Sequence, residues 1–239
     1  MIAVLLCAGT GSRLRPLTNK VAKCMLQFRG KSLLDHQLEI LRRHGCENIV
    51  IVGGGNSHSL RGDFDSIIFN KFYASTNMIY SLSLAADLII NSEDDLLITY
   101  GDIFFEGSLI GLLAGQSEMI VPSNTNWLNN WKARMTDIAT DAETFYFSDD
   151  FVLKNIGDRL SSCESLPMGQ FMGILYIPAR FASAIVSELR KISVQSNIST
   201  TEWLNGLVNR GYLFKVVEYS GEWFEVDTVA DYEFLLSCE

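Results

Sequence analysis

The sequence predicts an α/β protein: a mostly parallel sheet flanked by helices, with a smaller antiparallel β lobe, or lid, beside it. Three observations carry this. Short, continuously apolar runs at Ile2–Cys7, Asn48–Val52 and Leu96–Tyr100 suit strands buried on both faces of a parallel sheet. Stretches of helical periodicity separate them at the spacing of βαβ crossovers. After Pro122 the texture changes to short aromatic-rich segments divided by Asp, Gly and Ser, as antiparallel strands are.

In chain order, Ile2–Cys7 is a buried strand that runs into a glycine-containing loop. Ser32–His44 is a helix: Leu33, Leu34, Leu38 and Leu41 share one stripe, Ser32 caps it and Gly45 ends it. Asn48–Val52 is a strand stopped by Gly53-Gly54-Gly55, and Ser66–Phe69 is a third, short one. Ser75 or Thr76 caps a helix running to about Leu88, and Leu96–Tyr100 is a strand ending at Gly101-Asp102. Trp131–Ile138, Thr144–Phe147, Phe151–Asn155 and Phe171–Ile177 are expected as the antiparallel strands of the lid. Ala179–Lys191 and Thr200–Arg210 are helices, Leu213–Glu218 is a strand and Val229–Leu236 a closing helix. Ligands of such sheets bind at the carboxyl ends of the strands, so the first loop, Gly53–Gly55 and Asp102 should line one crevice.

With 239 residues, 48% hydrophobic and 20% charged, the chain has the balance of an ordinary soluble globular protein. The net charge of -9 leaves no basic stripe to neutralise a phosphate backbone, which argues against a nucleic-acid partner. A small anionic substrate remains compatible, because much of the positive charge sits near the amino terminus. Cys7, Cys24, Cys46, Cys163 and Cys238 are scattered and odd in number, as reduced thiols of a cytoplasmic protein are. Met1-Ile2-Ala3-Val4 does not open a signal peptide, and no apolar run spans a bilayer, so no membrane partner is expected. A homo-oligomer is compatible with the sequence and is not specified by it. His36, His44 and His58 lack metal-ligand spacing, and Asp94-Asp95 reads as a solvated turn. Cys7 and Cys24 flank the first loop without a base to activate them.

The chemistry concentrates in the run from Leu5 to Thr18, closed by Lys23. An apolar strand enters a glycine turn that ends in fixed positive charge, a combination that wraps a polyphosphate. Gly9-x-Gly11 alone is a weak signal. The dinucleotide fingerprint needs a third small residue where this chain has Leu14, and Pro16 falls inside the helix it would require. The Gly-Lys-Ser/Thr ending of a P-loop is absent.

The longer string Gly-x-Gly-x-Arg-Leu-x-Pro-Leu-Thr followed by Lys23 resembles the signature of the nucleotidyltransferases that activate sugar 1-phosphates and related small phosphates. The resemblance extends to Asp102 and to Trp223-Phe224-Glu225-Val226-Asp227-Thr228, and so covers nearly the whole chain. One departure is that the family has Pro before the Lys, where this chain has Ala22. The resemblance implies a Rossmann-like, GT-A-like nucleotidyltransferase fold in one domain over 1–239. Residues 1–122 would form the nucleotide-binding core, 123–178 an acceptor-binding insert or lid, and 179–239 the closing helices and strand.

It also implies the reaction. A phosphate oxygen of the acceptor attacks the α-phosphorus of a nucleoside triphosphate and pyrophosphate leaves. The protein must align two anions and absorb developing charge. Gly9, Gly11 and Ser12 would offer N–H groups to the triphosphate, with Leu6, Ala8 and Gly101 beside them. Arg13 would hold the leaving pyrophosphate, and Lys23 would draw the acceptor phosphate toward the α-phosphorus. Asp102 and Asp227 would be the Mg²⁺ ligands, the ion's other ligands being phosphate oxygens and water. A Gly-Asp after a strand is by itself more often a turn residue, and Asp227-Thr228 can equally cap the last helix. The company of the loop favours the ligand reading.

The stretch Tyr73 to Leu82 resembles that of the phosphocholine cytidylyltransferase branch, which implies CTP, with Asn77 and Ser81 near the base or ribose. Ser75-Thr76-Asn77 as a plain helix cap is an equal alternative for any one of them. The acceptor would be a small phosphorylated metabolite: phosphocholine, an aminoalkyl phosphonate or a phosphorylated amino acid or amide. Trp127, Trp131 and Tyr176 are candidates to contact it, with Tyr146, Trp203 and Trp223 behind them, although most large aromatics are core. Glu202 is a candidate partner for an amine. The alternatives are a sugar-1-phosphate nucleotidyltransferase using UTP, dTTP or GTP, and a catalytically silent nucleotide-binding module. Keeping Arg13, Lys23, Asp102 and Asp227 together argues against the latter. A glycosyltransferase would normally carry Asp-x-Asp where this chain has Asp102-Ile103-Phe104.

Overall fold

The computed structural model describes residues 1–128, 142–160 and 166–238. The strand β1 (Ile2–Cys7) is buried along its whole length, and its side chains alternate between two cores. Ile2, Val4 and Leu6 enter one, Ala3, Leu5 and Cys7 the other. That is why the run is continuously apolar rather than alternating. A tight hairpin of β2 (Gln27–Phe28) and β3 (Lys31–Ser32) leads into α1 (Leu33–Arg43). Ser32 and Asp35 close a capping box there, Ser32 Oγ accepting from the Asp35 N–H at 3.0 Å. β4 (Asn48–Gly53) and β5 (Ser66–Phe69) follow.

The helix expected from Ser75 or Thr76 to about Leu88 is instead two, α2 (Met78–Ser83) and α3 (Ala86–Ser92). The cap position is Asn77, whose side chain makes no capping bond. The two hydroxyls expected to cap turn back instead, Thr76 Oγ1 and Ser75 Oγ both donating to the Phe72 carbonyl. β6 (Leu96–Tyr100) then leads into β7 (Ile103–Phe105), α4 (Gly107–Leu113) and β8 (Met119–Asn124), three elements absent from the sequence-based expectation.

β9 (Glu143–Phe147) and β10 (Leu153–Arg159) form the antiparallel pair expected of a lid. The expected strand Trp131–Ile138 lies outside the described residues. The segment Phe171–Ile177 does not join that pair. It supplies β11 (Gln170–Phe171) and β12 (Ile174–Ile177), which run antiparallel within the central sheet, β12 lying between β6 and β8. The reason is composition: all four β12 residues are apolar or aromatic and all are buried. The chain closes with α5 (Ala182–Leu189), α6 (Thr200–Asn209), β13 (Phe214–Tyr219), β14 (Trp223–Glu225) and α7 (Val229–Leu236).

The central sheet has β1 paired in parallel with both β4 and β6, β5 beyond β4, and β13 parallel to β8 at the far side. Helices cover both faces: α1 and α4 supply one core, α2, α3, α5 and α6 the other. Since the chain leaves β1 toward β4 on one side and β6 lies on the other, the carboxyl end of β1 is a topological switch point, where a crevice opens. No helix among the described residues is long and apolar enough to cross a membrane.

Asp95, read from sequence as part of a solvated turn, anchors this architecture. Its carboxylate accepts from Tyr176 Oη at 2.6 Å and from the Ala179 N–H at 2.9 Å. Tyr176 Oη also accepts from the Gly115 N–H at 3.0 Å. Tyr176→Phe is expected to cost roughly 2 kcal/mol, since a buried hydroxyl bonded to a carboxylate is lost. At this chain length that lowers the melting temperature by about 5 °C. Calorimetry should show the shift with substrate KM values unchanged.

Candidate active site

The loop after β1 is shaped by one left-handed residue. Gly11 sits at φ 61° and starts a short 3₁₀ turn over Ser12–Leu14. A side chain at Gly11 would also crowd Thr18, whose hydroxyl donates to the Gly11 carbonyl at 2.6 Å. Leu14 is fully buried with Phe28, Leu33, Phe104, Val226 and Leu235. The leucine that breaks the dinucleotide pattern is thus the anchor that ties this loop to β14 and α7. Gly9 faces open space, so nothing in the protein itself demands a glycine there. Gly101 is demanded by packing, because a Cβ there would overlap Cys7 Sγ.

Asp102 and Asp227, 125 positions apart in the chain, are brought together by a short antiparallel ladder. β7 pairs β14 with Ile103 opposite Glu225, and the Val226 N–H donates to the Asp102 carbonyl at 3.1 Å. Asp227 follows directly, before the α7 capping box of Thr228 and Asp231. Between the carboxylates stands Lys23, whose Nζ donates to Asp102 Oδ2 at 2.5 Å and to Asp227 Oδ1 at 2.5 Å. Arg13 Nη2 lies 3.3 Å from the same Asp227 oxygen, with its own side chain largely exposed. Burial alone would lower the Lys23 pKa, but the two carboxylates outweigh it and hold the ammonium above its ordinary value. Asp102 is 9% exposed, and its Oδ1 has no hydrogen-bond partner among the described residues.

Two cavities adjoin this cluster. One, of about 280 Å³, lies at the strand ends and is lined by Leu6, Ala8, Gly9, Lys23, Asn77, Ser81, Gly101 and Asp102 of the residues picked from sequence. The other, of about 390 Å³, is lined by Arg13, Trp127 and Asp227 together with Glu143, Gln170, Thr201 and Glu225. Met78 belongs to both walls, so the cavities are neighbours across the start of α2. Gly11 and Ser12 form the turn beside the first cavity without lining it.

Three candidates for the acceptor side fare differently. Trp131 lies outside the described residues. Tyr176 is fully buried at the opposite end of the sheet, held by Asp95, and cannot touch a ligand at the strand ends. Glu202 is spent on its own helix: its carboxylate accepts from the Ser199 N–H at 2.7 Å, the return half of a capping box. The Ser-x-x-Glu spacing before an apolar run was the available sign of that role.

Sequence reading missed Asn70, which is fully buried beneath the first cavity. Its Nδ2 donates to Ser81 Oγ at 3.0 Å and Thr76 Oγ1 at 3.1 Å, and its Oδ1 accepts from the Phe72 N–H at 2.8 Å. Ser81 is therefore held from below by Asn70. Glu143, Gln170 and Glu225 were also missed, because strand residues separated by this much chain give no local signal. Cys7 is no nucleophile: its hydrogen bond with Cys24, burial and the nearby Asp102 charge push the thiol well above its ordinary pKa.

The family model described as the MobA-like NTP transferase domain matches residues 3–131, which include the glycine loop, Lys23 and Asp102. The chain belongs to this family. It is a nucleotidyltransferase, and families of this kind commonly use a divalent metal. Among proteins of similar sequence, the CTP:phosphoglutamine cytidylyltransferase of Campylobacter jejuni is 27% identical over 250 residues, covering 98% of both chains. The choline-phosphate cytidylyltransferase of Streptococcus pneumoniae is 36% identical over 100 residues, 38% of this chain and 42% of that one. Among solved structures, the CTP:phosphocholine cytidylyltransferase LicC of Streptococcus pneumoniae aligns with a TM-score of 0.73 at 23% identity. That alignment covers 99% of this nucleotidyltransferase and 98% of LicC, and it shows a shared fold.

Proposed function

We propose that the protein is a Mg²⁺-dependent cytidylyltransferase that moves CMP from CTP onto a small phosphorylated acceptor. The observation that carries this reading is the meeting of Lys23, Asp102, Asp227 and Arg13 where two cavities adjoin. The nucleoside of the triphosphate occupies the cavity at the strand ends and the far end of the acceptor the other, so the phosphates of both meet at the cluster between them. A phosphate oxygen of the acceptor forms a bond to the α-phosphorus, the α–β bridging bond breaks, and pyrophosphate leaves. Gly9 allows backbone N–H groups and phosphate to approach closely. Arg13 holds the pyrophosphate, and Lys23 draws the acceptor phosphate into line. Each charge-assisted contact contributes about 1.5–3 kcal/mol.

Asp102 and Asp227 suit Mg²⁺: they are hard carboxylates, and Asp102 Oδ1 is buried without a partner among the described residues. The ion, when bound, screens the charge of the phosphates and of the departing pyrophosphate. No group of three His, Cys, Asp or Glu ligands occurs among the described residues, so the protein supplies two carboxylates and leaves the rest to phosphate and water.

Likeness to the CTP:phosphoglutamine and choline-phosphate enzymes supports CTP as the donor. Glu143 and Glu225 in the second cavity favour an acceptor whose far end is cationic, an ammonium or a quaternary ammonium, with Gln170 and Trp127 beside it. Phosphocholine, aminoalkyl phosphonates and phosphorylated amino acids or amides all fit this description. Pyrophosphate release measured over CTP, UTP, dTTP and GTP against these acceptors is expected to favour CTP by at least about tenfold in kcat/KM. EDTA should abolish the signal and Mg²⁺ restore it. Preference for UTP or dTTP with a sugar 1-phosphate would overturn the reading.

A further inference from the structure

We infer that Ser59 is a positioning residue for Lys23, its hydroxyl fixing the backbone at Ala22. The inference rests on the role proposed above for Lys23.

Ala22 is 4% exposed and stands at φ -65° and ψ 147°, immediately before the 3₁₀ turn Lys23–Met25. That φ is the one a pyrrolidine ring imposes, so the backbone has a proline-like shape without a proline. A hydrogen bond that proline could not make holds it there: the Ala22 N–H donates to Ser59 Oγ at 2.8 Å. The Ser59 hydroxyl in turn donates to the Asn56 carbonyl at 2.7 Å, which fixes the direction of the lone pair offered to Ala22. Asn56 adds two more ties, its Nδ2 donating to the Thr18 carbonyl at 2.9 Å and the Val21 carbonyl at 3.0 Å. The turn after β4 therefore clamps the whole segment that delivers Lys23. Each of these bonds ends on backbone, so the clamp reads the path of the chain rather than its side chains.

The geometry makes a test with opposed single variants. Ser59→Ala removes the acceptor for the Ala22 N–H and frees the backbone. Ala22→Pro alone puts a ring carbon about 1.5 Å from the nitrogen, along the line to an oxygen only 2.8 Å away, and must displace the turn. In the double variant the hydroxyl is gone, the ring has room, and φ is fixed covalently. Each single variant is expected to lower kcat/KM for the acceptor about tenfold, with the KM for CTP nearly unchanged. The double variant is expected to return to within about threefold of the parent. Ser59→Ala is expected to lower the melting temperature by a few degrees, because the buried Ala22 N–H loses its acceptor, and the unchanged KM for CTP separates positioning from a general loss of fold.

Amide hydrogen exchange gives a readout independent of turnover. The Met25 and Leu26 amides, which bond back to Ala22 and Lys23 in the short turn, should exchange faster in Ser59→Ala and slow again in the double variant. Unchanged exchange in Ser59→Ala, or a double variant as impaired as the worse single one, would overturn the inference. The expected exchange pattern in a protein that turns over no triphosphate would support the clamp and count against the role given to Lys23.

Discussion

Asp102→Asn is expected to lower turnover by about a thousandfold, with the fold intact. The substitution keeps the shape of the side chain and leaves Lys23 its contact with Asp227 at 2.5 Å. What it removes is one of the two negative charges that face the phosphates, in a setting where Asp102 is 9% exposed and poorly screened. Loss of one preorganised electrostatic contact in such a site costs on the order of 10²–10³ in rate, and loss of a metal ligand adds to it. Pyrophosphate release from CTP and acceptor measures the effect, and circular dichroism with a thermal melt controls for folding. Undiminished release would show that Asp102 is not a metal ligand.

Lys23→Ala is expected to lower kcat/KM for the acceptor by about a hundredfold or more, with a smaller loss in CTP binding. Equal losses for both substrates would contradict the assigned role. The same variant carries a stability signature. With the ammonium gone, Asp227 keeps Arg13 at 3.3 Å, but the buried Asp102 carboxylate, held near it by the Val226–Asp102 backbone bond, loses Lys23. Breaking a buried pair in this way costs about 3 kcal/mol. Added Mg²⁺ should raise the melting temperature of Lys23→Ala more than that of the parent, because the ion supplies the missing positive charge.

The Lys23 pKa also fixes a pH dependence. Its value in the folded protein lies above the ordinary 10.5, since the two carboxylates outweigh burial. The stabilising contribution is therefore complete below the unfolded pKa and fades only as pH rises through the higher folded one. The pH–rate profile should show no alkaline fall below about pH 10 that Lys23→Arg abolishes.

The strands that carry the loop were legible because they are buried on both faces, and such strands must be continuously apolar. Ile2–Cys7 and Leu96–Tyr100 lie where the runs of apolar residues put them, whereas Ser66–Phe69 is an exposed edge strand that shows only a short apolar run. Ser32, read as a cap, made the start of α1 readable in the same way. β7 and β14 were not readable. They are three residues each, and neither has a partner nearby in the chain. Phe171–Ile177 was legible as strand but not in its place, since its pattern says only that it is buried and not which neighbour buries it.

Chain order and composition were sufficient for the layered α/β class, for the glycine loop with Arg13 and Lys23, and for Asp102 behind its strand. These are local: each depends on residues adjacent in the chain or on one repeating period. Packing alone decided that Asp102, Asp227 and Lys23 meet, that Tyr176 and Glu202 serve the fold, and that Ser59 stands at Ala22. The reason is physical. A hydrogen bond between residues 37 or 204 positions apart leaves no periodic trace in sequence, and forms only where the sheet brings two loops to one crevice.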